Sequence, residues 1–227
     1  MKILCSSICV LSLLTVSASA QVVGGTELEI GSTGTNQVAD TLLSPSGAIG
    51  DDNSVDAGHS IAVGRYNVLG NQTSNGYSLA AFGKQNTMGG SYSLTVGYLN
   101  ESHGKYSAII GRENVISHDP VSGDAAQSAL VVGGGNVNDH ARYSIIVGTG
   151  NVASQAHRTA LFGQGLISNW DKATIVGEYN DSTVAQELRF AVGVGADENN
   201  RNNAFEVHSD GTILMIPQGD ISMGEFE

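Results

Sequence analysis

Six histidines, two groups of acidic residues and one glycine triplet are the parts of this sequence whose types could do chemistry. The histidines are His59, His103, His118, His140, His157 and His208. Zinc takes three or four His, Cys or carboxylate ligands converging in a tetrahedron. His118 and His140 each stand seven residues after a repeat glycine and His103 stands six after one. That lines them along one edge without completing a ligand set. Asp51, Asp52 and Asp56 form a carboxylate cluster with no His or nucleophile in register. The run DENNRNN at 197–203 offers oxygen atoms to a hard cation but lacks the GGxGxD grammar of calcium-binding solenoids. Gly133-Gly134-Gly135 is followed by neither Lys-Ser/Thr nor a helix start, which a phosphate loop needs. No nucleophile triad and no paired-acid arrangement is present. The residues therefore predict no catalytic site, no metal site and no cofactor, and the protein is expected not to be an enzyme.

The elements that would have to position such groups are repeats. In YSLTVGYLNESHGKYSAIIGREN, residues 92–114, Tyr92 and Tyr106, Ser93 and Ser107, Gly97 and Gly111, and Asn100 and Asn114 stand fourteen apart. Aligning on the glycine gives Gly50, Gly64, Gly83, Gly97, Gly111, Gly133, Gly148, Gly163, Gly177 and Gly193, with gaps of 14, 19, 14, 14, 22, 15, 15, 14 and 16. Three residues after the glycine come Asn53, Asn67, Asn86, Asn100, Asn114, Asn136, Asn151 and Asn180, with Leu166 and Ala196 as exceptions. Four before it stand Ser46, Ser60, Ser93, Ser107 and Ser144, with Thr159 as a near match. Fourteen residues is too short for a helical repeat. It fits one coil of two short strands and two turns. Glycine tolerates the left-handed region at a corner, and Asn is the next residue most willing to enter it. Stacked Asn amides can also bond along the axis, where the turn backbone would otherwise lack partners. The long gaps before Gly83 and Gly133 read as insertions at coil corners.

The strands are apolar on both faces. Ile61 and Val63 share one face, and Val96, Ile110 and Phe162 repeat it just before the glycine. Ala48, Ala81, Ile109, Val131, Ile146, Leu161 and Ile175, two before the glycine, share the other. Burial on both faces is the usual meaning of such a pattern, and another copy of the chain is the simplest cover for the second face. Val68, Val115, Val137 and Val152, each after the Asn, are expected to be a second inward residue.

The units HSIAVGRYN, YSLTVGYLN, YSAIIGREN and YSIIVGTGN resemble the repeat of YadA-like head domains of trimeric autotransporter adhesins, over about residues 46–196. The resemblance implies an all-β, left-handed parallel β-roll or solenoid of about ten 14–15-residue coils, three chains side by side. It puts Ile61, Val63, Leu94, Val96, Ile110 and Val147 in the coil interior, and Ala62, Thr95, Ile109 and Ile146 on the opposite face. It also implies adhesion; a spacer role, as in appendage or phage-tail-like fibres, is the alternative, since the C-terminal hairpin is similar to those that close repeat regions in some phage tail-fibre-like proteins. The sequence departs from the family in carrying no heptads for a stalk and no recognisable anchor.

The ends and the charge complete the organisation. Residues 1–20 have the layout of a secretory signal: Lys2, an apolar run, and Ala18-Ser19-Ala20. Cys5 and Cys9 both fall inside it. Residues 21–45 are a lead-in, 46–196 the repeat domain, and 197–227 a polar linker, a β-hairpin around Ser209-Asp210-Gly211 and a tail. A net charge of −12 argues against nucleic acid and anionic lipid as partners. No later segment is long and apolar enough for a membrane helix. The protein is expected to be a secreted or cell-surface homotrimer that contacts an extracellular protein, glycan or surface, and the sequence names no ligand.

Overall fold

The computed structural model describes residues 19–23, 27–31, 36–38, 45–70, 78–117 and 127–216, and among them the chain is all-β, with no helix. It is a parallel β-solenoid of about nine turns. Each turn contributes one long strand, such as Ser93–Tyr98 or Ala108–Arg112, to a 14-stranded sheet. It contributes one short strand, such as Glu101–Ser102 or Val115–Ile116, to a 9-stranded sheet. The parallel register sets glycine on glycine: Gly50 on Gly64, Gly97 on Gly111 and Gly148 on Gly163. It also survives the long gaps, because Val63 pairs with Phe82 and Ile110 with Val132. The inserted residues 71–77 and 118–126 lie outside the described residues.

Both ends turn antiparallel. Ser19–Val23 pairs antiparallel with Glu27–Gly31, which starts the parallel run against Ser46–Asp51. Of the segment read as a signal, only Ser19 and Ala20 are described, and they open that first strand. At the far end Leu188–Val194 pairs antiparallel with Asn203–His208, which forms the expected hairpin with Ile213–Met215. Gly193 is therefore the last glycine in register but starts no further short strand.

The repeat glycine satisfies two demands at once. Gly97 has φ of +131° and Gly111 of +137°, a region that side chains with a Cβ avoid. A Cβ built on Gly97 would also fall on the carbonyl oxygen of Gly111. The Asn makes the stacked bonds expected from the sequence but is not itself the left-handed residue. The left-handed residue is the one just before it: Asp52, Tyr66, Gln85, Leu99 and Glu113, then Gly135 and Gly150, with Gly165 in the same place before Leu166. The Asn side chains instead point inward, buried, as a ladder. Asn100 Nδ2 donates to Asn86 Oδ1 at 3.0 Å and to Gly111 O at 2.8 Å. Its own Oδ1 accepts from Asn114 N at 3.1 Å and from Asn114 Nδ2 at 3.0 Å.

The interior is set by what shares the parity of that ladder. Ala62, Ile109, Val131 and Ile146 are fully buried. Ile61, Leu94 and Ile110 are exposed, and Val63, Val96 and Val147 half-buried. The two faces expected from the resemblance are thus exchanged. On the short strands the same correction applies: Leu69, Ile116 and Ala153 are buried, whereas Val68 is exposed and Val115, Val137 and Val152 are half-buried. The physical reason is the two-residue strand period. The inward Asn makes the next residue outward and the one after it inward.

Volume is balanced across several turns. In the N-terminal turns small Ala62 and Ala81 share a turn with large Leu69 and Met88. In the C-terminal turns Ile146 and Leu161 share a turn with Ala153 and Ser168. Large-with-small pairing keeps a narrow coil at interior density without voids.

Candidate interaction face

The outer face of the long sheet is the surface most unlike that of an ordinary monomer. Two ranks of side chains cross it, one residue per strand. The first rank, three before the glycine, includes Ile61, Ala80, Leu94, Ala108, Leu130, Ile145 and Ala160. The second, one before the glycine, includes Val63, Phe82, Val96, Ile110, Val132, Val147 and Phe162. From the strand of Ser46–Asp51 to that of Leu188–Val194, Thr174 is the one polar side chain in either rank. Ile110 is 44% exposed and Phe162 43%. Ten strands at about 4.8 Å make this strip roughly 50 Å long, and a contiguous exposed apolar strip is a candidate site for contact with another protein. The strip is also shaped. Phe82 and Phe162 each share a strand with a small residue, Ala80 and Ala160, so bulges and hollows alternate.

This face exists because the interior has already been filled by other residues. Sequence reasoning saw both apolar sets but assigned them the wrong way round. The signal that separates them is the Ser and Asn parity. The Ser46 hydroxyl donates to Ala57 O at 2.8 Å, and the Ser93 hydroxyl to Gly104 O at 3.0 Å. A polar residue repeated for internal bonding marks the inner face.

The corner residues singled out from the sequence occupy the rod itself. Gly50, Gly64, Gly83, Gly97, Gly111, Gly133, Gly148, Gly163 and Gly177 form one column of positive φ. Asn53, Asn67, Asn86, Asn100, Asn114, Asn136 and Asn151 form the ladder, which Leu166 ends by donating its backbone N–H to Asn151 Oδ1 at 2.9 Å. Asn180 bonds instead to the backbone N and O of Ile167. A rung missed in the sequence is Asn36, whose Oδ1 accepts from Asn53 N and Nδ2. It follows Gly31 by five residues rather than three, and so falls out of the counted spacing.

The histidines do not converge. Nε2 of His103 lies 2.7 Å from Glu101, and Nδ1 of His140 lies 2.6 Å from Asp139. His157 Nδ1 accepts from Arg142 N at 3.3 Å, and His59 is an exposed corner residue. His118 lies outside the described residues. Among those residues no group of three or more His, Cys, Asp or Glu could hold a metal ion. His208 is buried in the closing hairpin with Nε2 2.9 Å from Glu206 Oε2, and Glu206 Oε1 accepts from Asn203 Nδ2 at 2.7 Å. Those three side chains seal the end of the rod.

The remaining chemical candidates are turn formers. Asp52 is left-handed at its corner. Asp197 Oδ1 accepts from the backbone of Asn199 and Asn200, and the Asn200 amide bonds both carboxylate oxygens. Led by the Asn200 side chain, these bonds hold the Asp197 carboxyl below its ordinary 3.8. Gly133, Gly134 and Gly135 are the repeat glycine, an outward residue and a left-handed corner. Trp170 is half-buried and packs against the C-terminal core. Neither protein-family models nor curated proteins provide a match to this chain.

Proposed function

We propose that this protein is a secreted or surface-associated attachment module with no enzymatic activity, assembled from three rods side by side, in the manner of YadA-like adhesin heads. The observation that carries this reading is the charge-free apolar strip on the outer sheet. Covering it removes about 25 cal/mol of unfavourable hydration per Å², and a second copy presents the same knobs and hollows at the same 4.8 Å spacing. The N-terminal segment read as a secretory signal directs the rod out of the cell, and a repetitive rod offers the same contact many times along its length.

A spacer or fibre reading has one observation of its own. Ile213–Met215 is the last strand of the large sheet among the described residues, and Ile213 is 60% and Met215 77% exposed. An open apolar edge is a template for strand pairing with another chain, which would join rods end to end.

Light scattering of the full chain after signal removal is expected to give three times the chain mass; a stable monomer at micromolar concentration defeats the trimer. Ile110→Asp and Ile145→Asp, on the outer face, are expected to release folded monomers, whereas Ile109→Asp, in the interior, is expected to unfold the chain. Unchanged mass in both outer variants puts the contact elsewhere. Retention on cells and on arrays of matrix proteins and glycans tests attachment, and an empty result on all of them favours the spacer.

A further inference from the structure

The corner that precedes each long strand carries a second pattern. Backbone bonds stack it in register: Tyr106 N donates to Ser91 O at 3.0 Å, Ser128 N to Lys105 O at 2.9 Å, and Tyr143 N to Gln127 O at 2.8 Å. Arg158 N then donates to Arg142 O and Lys172 N to His157 O, both at 2.7 Å. Tyr106, Tyr143, Arg158 and Lys172 all have φ between 55° and 61° and all are exposed. Glycine or asparagine would sit there with less strain, as Gly135, Gly150 and Gly165 do at the opposite corner. The left-handed backbone is common to both corners, since Tyr66, Leu99 and Glu113 share it at the other one; what marks this corner is the exposed aromatic and cationic side chains it carries.

The chemistry of that edge is basic and aromatic on a chain of net charge −12. Lys105, Arg158 and Lys172 enter no ion pair among the described residues. Asp171, a carboxylate among the described residues of this column, accepts from His157 N at 2.7 Å. Tyr92 and Tyr106 are stacked at 5.2 Å and 5° yet remain 55% and 61% exposed. Stacking orders both rings before any ligand arrives, which lowers the entropy lost on binding.

We infer that this edge binds a linear acidic polysaccharide. Lys105, Arg158 and Lys172 pair with its carboxylate or sulfate groups, and Tyr106 and Tyr143 meet its sugar rings and hydroxyls. The site is one-dimensional and advances about 4.8 Å per turn, comparable to one sugar unit in an extended chain. Densely charged nucleic acid is opposed by the net charge of the whole chain; a polyuronate, with one carboxylate per sugar and many hydroxyls, suits separated cations with tyrosines between them, and heparin shows whether a higher charge density is tolerated. The inference rests on the attachment reading above and names its ligand class.

The test is binding of the assembled full chain to immobilised heparin and to a polyuronate at low and high salt, with folding checked by circular dichroism. The wild type is expected to bind at low salt and to elute as salt rises. Lys105→Gln/Arg158→Gln/Lys172→Gln is expected to weaken binding about tenfold, and the equally charge-changing Arg65→Gln/Lys84→Gln/Arg112→Gln less than about twofold. Tyr106→Asn/Tyr143→Asn keeps residues that tolerate positive φ and is expected to weaken binding without changing its salt dependence. No polysaccharide binding, equal loss in the two triple variants, or equal affinity for single-stranded RNA overturns the inference. If polysaccharide binding is absent while retention on cells persists, the inference falls and the attachment reading stands. If both are absent, both fall.

Discussion

Thr95 and Ser102 face each other inside one turn, fully buried, and neither hydroxyl has a hydrogen-bond partner. A buried polar group left unpaired costs about 1–3 kcal/mol. Thr95→Val keeps the shape and removes the orphan, so it is expected to raise stability by about 1 kcal/mol in urea titration. Asp197 and Asp210 bring a pH dependence at the same scale. The Asn200 side chain lowers the Asp197 carboxyl, and the Thr212 backbone N–H lowers that of Asp210. A lowered folded value means that the stabilisation is complete above the ordinary 3.8 and is lost as pH falls through the folded value. Amide exchange at Asn199, Asn200 and Thr212, corrected for its intrinsic pH dependence, is therefore expected to lose protection in strong acid before the core strands do. Equal loss at all amides would mean that these turns follow global unfolding.

At the element scale, the coil corner is the unit of construction. Removing one Asn takes away four bonds and leaves two backbone groups of the next turn unpaired. Asn100→Ala frees Gly111 O and Asn114 N and is expected to cost about 3 kcal/mol, with fast exchange at the Asn114 amide and much smaller changes at distant turns. The corner was legible because its spacing must repeat for each Asn to reach the next turn. Its inner geometry was less so. Leu99 and Glu113 carry the left-handed conformation although Asn tolerates it better, because the Asn side chain is committed to the ladder and has to point inward.

Across the whole molecule the interior divides in two. One apolar cluster runs from Val38 to Met88 and the other from Ile109 to Ala191. The turn of Thr95 and Ser102, with small polar groups on both inner faces, separates them. Repeat rods open by turns, with stability summed from neighbours. Native-state hydrogen exchange is expected to sort the amides into two groups that meet at this turn. Thr95→Val/Ser102→Ala is expected to merge them; one unbroken group in the wild type would show that the seam does not weaken the rod.

The sequence by itself determined the period, the all-β class, the glycine column, the Asn positions and the closing hairpin. Each of these follows from a local rule: a turn that admits only glycine, a side chain long enough to reach one turn away, a hairpin bounded by apolar runs. Only the tertiary structure decided which apolar set lies inside. Alternation tells two faces apart but does not name them, and here both are apolar, so Ile109 and Ile110 look alike until the chain closes. Closure turns the Ser and Asn parity inward, because their bonds must reach the backbone of the neighbouring turn. It thereby leaves Ile110, Phe82 and Phe162 on the surface, where the proposed contact between chains forms.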